Sequence, residues 1–190
     1  MDYKNYIQSR DMSWKILIDM DITALPVPII SICRKLNIFV GYDEELIGGS
    51  NDGYSTITPT GAKIAINPSC NKQRKRFTIA HELGHILLDH VGKYELVNRE
   101  PSSEDNPIEQ AANVFASRLL APACVLKGCD VQSAAEISKL CDISIMSAEY
   151  RFKRYQELVK RDKFFISPLE RTVYAQFKEF IQGHQQGALY

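Results

Sequence analysis

Residues 77–90 read FTIAHELGHILLDH, and the rest of the chain is best understood from this run. His81, Glu82 and His85 stand among Ile79, Ala80, Leu83, Ile86 and Leu87, whose spacing predicts a helix buried along one side. Apolar surroundings disfavour imidazoles and a carboxylate unless a partner satisfies them. Positions four apart on a helix differ by roughly 40° about its axis, so His81 and His85 face the same way, one turn apart. Two neutral imidazoles and one oxygen ligand suit zinc, whose catalytic sites leave a fourth position to water. Glu82 flanks that face without coordinating, and it can take a proton from such a water, the general-base role in H-E-x-x-H.

A third ligand has to come from elsewhere. The pattern H-E-x-x-H-x-x-G-x-x-H is excluded, because Leu88 and Val91 stand where its glycine and last histidine belong. His90 follows His85 by five positions, which on a continuing helix turns it roughly 140° from the metal face. It is expected to be a solvated cap at the helix C-terminus. Among the downstream carboxylates Asp89, Glu95, Glu100, Glu104, Asp105 and Glu109, only Glu109 sits on a clearly apolar helix, DNPIEQAANVFASRLLAP (105–122). That helix has an Asp/Asn cap and a proline near its first position. Ala112, Asn113, Ala116 and Leu120 share the face of Glu109, and the small ones let a second helix come close. Alone, Glu109 would be a first-turn carboxylate favoured by the helix dipole; beside the upstream motif it is the expected third ligand. Asn113, one turn on, has the reach to hydrogen-bond a ligating imidazole.

Before this pair of helices lie PVPIISICRKLNI (26–38), read as a helix, and NIFVGY, a short strand candidate. YSTIT and AKIAI read as strands about a Pro/Thr/Gly turn, with AKIAI suited to a sheet edge. Residues 92–105 are polar and loop-like. After KGCD come helices in VQSAAEISKLC and SIMSAEYRFKRYQELVKR, then one in SPLERTVYAQFKEFIQG and a loose tail. A small sheet followed by helices is α+β rather than alternating βα.

The chain has 190 residues, with 23 Lys+Arg against 23 Asp+Glu, so its overall charge exerts no pull towards nucleic acid or anionic membrane. MDYKNYIQSRDMSWK is too polar for a signal peptide, and no apolar run reaches the ~18 residues of a membrane span. The five cysteines form no C-x-x-C pair and read as free thiols of a reducing cytoplasm.

RKRFTIAHELGHILLDH followed by IEQAANVFASRLLAP resembles the ImmA/IrrE-type zinc metallopeptidases, a branch of the gluzincin-like zincins. PVPIISICRKLNI and KIAIN are similar to that family's upstream segments, so the likeness covers most of residues 25–155. The resemblance implies a zincin-like core with a small, mostly antiparallel sheet packed on helices and followed by C-terminal helices. Residues 1–127 are expected to form the peptidase core, and 128–190 a helical region that packs on it or serves as a substrate-docking surface. It further implies an intracellular zinc peptidase, often encoded on mobile elements, that cleaves a helix-turn-helix repressor. By position, His81, His85 and Glu109 match the zinc ligands and Glu82 the catalytic glutamate. Substrate is expected to pair in extended form with the AKIAI strand. The oxyanion stabiliser stays open among Tyr94, His90, Tyr150 and Arg151.

A second class competes. EISKLCDISIMSAEYRFKR (136–154) resembles a helix-turn-helix, as in a DNA-binding regulator with a structural or sensory zinc. Against it, Asp142 holds the usual glycine position, and Ile145 and Met146 open the helix that would need polar groups for base edges. Arg151, Lys153, Arg154 and the KQRKR run (72–76) are read as solvated basic faces, and strong nucleic-acid binding is not expected.

Overall fold

The computed structural model describes residues 2–91 and 106–187. The chain divides into two units, one of Met1–Met12 and Ile29–Ala116, the other of Ser13–Pro28 and Ser117–Tyr190. Helix α1 (Tyr3–Asp19) crosses from the first unit into the second. No periodicity marks it in advance, because its apolar anchors Trp14, Ile16 and Leu17 are crowded at one end of a polar segment.

In the first unit, α2 (Ile29–Lys35) buries Ile29, Ile32 and Cys33 at helical spacing. It is shorter than its sequence pattern, since Asn37 turns left-handed at φ 56° and the Ile38 N–H closes onto the Cys33 carbonyl. Strands β1 (Phe39–Tyr42), β2 (Gly53–Thr58) and β3 (Gly61–Ile66) form one sheet in the order β1-β3-β2. β2 pairs antiparallel with β3 along all six residues, and β1 pairs parallel with β3 along four. AKIAI is therefore the centre of the sheet and not its edge, which removes it as the strand a substrate could extend. The parallel β1–β3 pairing is made across a long connection, so local pattern does not reveal it.

Helix α3 (Lys72–Leu87) packs on β2 and β3. The Asn71 side chain caps it by accepting from the Arg74 N–H at 2.8 Å, a bond of about 1 kcal/mol. The basic first turn is engaged locally, with Arg74 paired to Asp52 and the Lys75 ammonium over the Tyr42 ring. Its other end departs from expectation. Asp89 adopts φ 59°, its N–H bonds the Ile86 carbonyl, and the His90 N–H bonds the His85 carbonyl. This is a Schellman closure with aspartate in the left-handed position.

Helix α4 (Pro107–Leu120) lies against α3 where Gly84 meets Phe115. A methyl at Gly84 would stand 2.9 Å from Phe115 Cδ1, so only glycine allows this approach. Ala112, Phe115 and Ala116 are buried.

The second unit contains α5 (Ala123–Gly128), α6 (Ala134–Cys141), α7 (Ile145–Lys160), α8 (Pro168–Gln176) and α9 (Lys178–Gly187). The expected last helix is two, broken at the buried Phe177, and α9 runs through most of the tail expected to be loose. The Gln176 amide donates to the carbonyls of Leu17 and Ile22 at 2.8 and 2.7 Å. Arg151 is buried, and its Nε donates to the Ala121 carbonyl at 2.7 Å, so it presents no charge to a phosphate. Small sheet and helices together make the chain α+β. No described helix is long and apolar enough to cross a membrane.

Candidate active site

All the motif residues fall in the first unit. α3 carries His81 and His85 one turn apart, and the first turn of α4 brings Glu109 against them. His81 Nε2 lies 3.0 Å from His85 Nε2 and 3.1 Å from Glu109 Oε2, and His85 Nε2 lies 3.4 Å from Glu109 Oε1. Among the described residues this is the group able to hold a metal ion, and no cysteine belongs to it. The five cysteines form no disulfide, and burial pushes the thiols of Cys33 and Cys124 up to about 12.

The partners of the two rings fix what the inner nitrogens present. His81 Nδ1 is 3.0 Å from Asn113 Oδ1, an oxygen that only accepts, so Nδ1 carries a proton and the neutral ring leaves Nε2 bare. His85 Nδ1 is 3.2 Å from His90 Nδ1. Burial, with the charge of His85, pushes His90 down to about 4, and the neutral ring can accept from His85 Nδ1–H. Two lone pairs and a carboxylate then converge within 3.0–3.4 Å. With both rings neutral they repel, and either a metal ion or a proton relieves this. The same crowding shows in the protonation equilibria. Burial opposes a charge on His81, yet Glu109 and Glu82 outweigh it and raise its pKa. When a ring takes up a proton on Nε2 it donates to Glu109, and such hydrogen bonds from His81 and His85 hold the Glu109 carboxyl well below the usual range.

The spacing fits a small divalent ion. Tetrahedral zinc with bonds of about 2.0–2.1 Å requires ligand atoms about 3.3 Å apart. Among the described residues three donors stand here, and a fourth position is left to water, the pattern of catalytic rather than closed structural zinc sites.

Glu82 is on the same helix but turned to the sheet, where Ser55 Oγ of β2 donates to its Oε2 at 2.7 Å. Sequence reasoning missed Ser55 and Gly84. The signal for the first was a hydroxyl at an inward position of an alternating strand, and for the second a glycine inside a helix. Sequence reasoning also put His90 on the wrong side: the helix stops at Leu87, and the left-handed Asp89 folds the ring back onto His85. Of the other oxyanion candidates, Tyr94 lies outside the described residues, as does the expected loop 92–105. Tyr150 is exposed in the second unit, and Arg151 is committed to Ala121.

A helix-borne H-E-x-x-H completed by a glutamate from a second helix defines a class of metal sites found in gluzincin-like peptidases. Residues 33–153 match the model of the IrrE N-terminal-like domain, Peptidase_M78, and the chain belongs to this ImmA/IrrE-type family. Two curated relatives are both named radiation response metalloprotease IrrE. The one from Deinococcus radiodurans is 32% identical over 113 residues, covering 54% of this chain and 33% of the relative. The one from Deinococcus deserti is 33% identical over 113 residues, covering 54% and 39%. The match thus spans between about a third and two fifths of these relatives' length.

Proposed function

We propose that the chain is an intracellular zinc-dependent endopeptidase that cuts a regulatory protein, with a helix-turn-helix repressor as substrate. The observation that carries this reading is the convergence of His81 Nε2, His85 Nε2 and the Glu109 carboxylate, three donors spaced to hold one cation. A divalent ion held there would supply Lewis acidity to a water and to the scissile carbonyl. The chain's own residues do the rest. Glu82 takes the proton of the attacking water and returns it to the leaving amine. Asn113 holds His81 in the tautomer that keeps Nε2 bare, and His90 does the same for His85.

The substrate strand runs along the outer side of β2, the strand that reaches Glu82 through Ser55. The Asn67 N–H bonds the Asp52 carbonyl, so by alternation Tyr54 and Thr56 face β3, while the backbone of Ser55 and Ile57 turns outward. A repressor is favoured by the family's association with regulation, and the name radiation response metalloprotease carried by both relatives agrees with a regulatory role.

One observation favours the DNA-binding alternative. α6 and α7 are joined through Asp142 at φ 52°, the left-handed turn of a helix-turn-helix. The start of α7, however, exposes Ile145, Met146 and Tyr150 rather than groups that read bases. The test is to express wild type and Glu82→Gln beside a helix-turn-helix repressor from the same locus, following repressor length and promoter output. Repressor cut by wild type alone supports the peptidase. Promoter output altered by Glu82→Gln with the repressor intact makes direct DNA binding primary.

A further inference from the structure

We propose that Ser55 is a positioning residue for Glu82, holding one carboxylate oxygen so that the other faces the reacting water. This rests on the peptidase reading above. Ser55 Oγ and Glu82 Oε2 are 2.7 Å apart, and the residues are 7% and 9% exposed. Gly53 and Ser55, two apart on β2, lie on the sheet face covered by α3. A Cβ at Gly53 would meet Thr78 of α3, and Ser55 pairs with Ile64, which is 1% exposed. An inward position beside such an isoleucine suits a β-branched apolar residue, and a hydroxyl there is costly without a partner. Its partner is the carboxylate named as the base.

Among the described residues, Ser55 supplies the hydrogen bond that Glu82 receives. The glutamate has rotatable bonds that burial alone does not set, whereas β2 is tied to β3 along its length. Ser55 therefore gives the side chain a fixed reference. With Oε2 occupied, Oε1 is the oxygen that takes the proton. Oε2 remains an acceptor whether or not Oε1 is protonated, so the bond persists through the cycle. A general base must stand within about 2.6–3.2 Å of its proton, and a misplacement near 1 Å costs roughly 100-fold in rate.

The test compares zinc-loaded wild type, Ser55→Ala and Ser55→Thr on a peptide that wild type cleaves, chosen from a mixed library, with zinc affinity measured beside it. Ser55→Ala is expected to lose roughly 10- to 100-fold in kcat, with KM and zinc affinity within about 2-fold of wild type. Ser55→Thr should recover most of the rate, because it keeps the hydroxyl. An unchanged kcat in Ser55→Ala, or a loss in KM alone, overturns the proposal. Crystals of Ser55→Ala give a readout independent of turnover, with the Glu82 carboxylate expected to leave its single position. If wild type cleaves no peptide, the peptidase reading falls by itself. Ser55 is then judged on those crystals: a displaced carboxylate supports its role, and an unmoved one refutes it.

Discussion

Replacing Gly84 with alanine tests how Glu109 is put in place. A methyl there would stand 2.9 Å from Phe115 Cδ1 and 3.3 Å from Phe115 Cβ and Cγ. Two of those atoms are at the root of the side chain, so rotating the ring does not relieve the clash. α4 must retreat by about 0.5 Å to restore ordinary carbon contacts of about 3.5–4.0 Å. Overpacking of this kind costs about 1–3 kcal/mol, and alanine in a helix interior returns about 1 kcal/mol over glycine. The net effect is a loss of up to about 2 kcal/mol. Glu109 and Asn113 ride on the same helix as Phe115, so the retreat also opens the 3.0–3.4 Å triangle of donor atoms. Zinc affinity should fall roughly 10-fold, as for a disturbed ligand support. Urea unfolding of the metal-free protein and zinc titration against a competing chelator measure the two effects. A variant as stable as wild type, with the same zinc affinity, would refute the claim that this approach places Glu109.

Three further outcomes follow from the geometry. Asn113→Ala should weaken zinc binding by about 10- to 100-fold in the same chelator titration, and an unchanged affinity would reduce Asn113 to packing. Ile57→Pro removes an outward N–H of β2 and should lose cleavage while remaining folded, whereas Thr56→Pro removes one that faces β3 and should melt the sheet; equal behaviour by circular dichroism and cleavage would overturn the docking edge. In the metal-free protein the raised His81 pKa adds stability below its ordinary value of 6.5, lost as pH rises through the folded value. The lowered Glu109 pKa adds stability above its ordinary 4.5, lost as pH falls through the folded value. The pair thus contributes most between the two, while zinc, which needs bare imidazoles, stabilises increasingly towards alkaline pH. Above about pH 7, where His90 is neutral in both folded and unfolded chains, melting curves of chelated and zinc-loaded protein up to about pH 8 should therefore slope in opposite directions, and parallel slopes would contradict this.

The grouping of the candidate residues was legible because its signals are local. His81, Glu82 and His85 share one helix, and the cap, the proline and the small face of 105–122 mark out the helix of Glu109. What escaped is non-local or depends on where a helix stops. Nothing in AKIAI says that a parallel strand will cover its second side, so a central strand read as an edge. His90 was placed by extrapolating a helix that Asp89 ends in a left-handed turn. Ser55 is 27 residues from its partner, and Gly84 looked like a cost to the helix until Phe115 stood against it.

The central claim is that His81, His85 and Glu109 hold one ion with a position left open. Anomalous scattering at the zinc edge from crystals of zinc-loaded protein tests it most directly. One peak per chain is predicted, about 2.0–2.2 Å from His81 Nε2, His85 Nε2 and a Glu109 oxygen, with no fourth side chain bound. A chain saturated with zinc whose peak lies elsewhere, or whose fourth position is closed by a protein ligand, would contradict it.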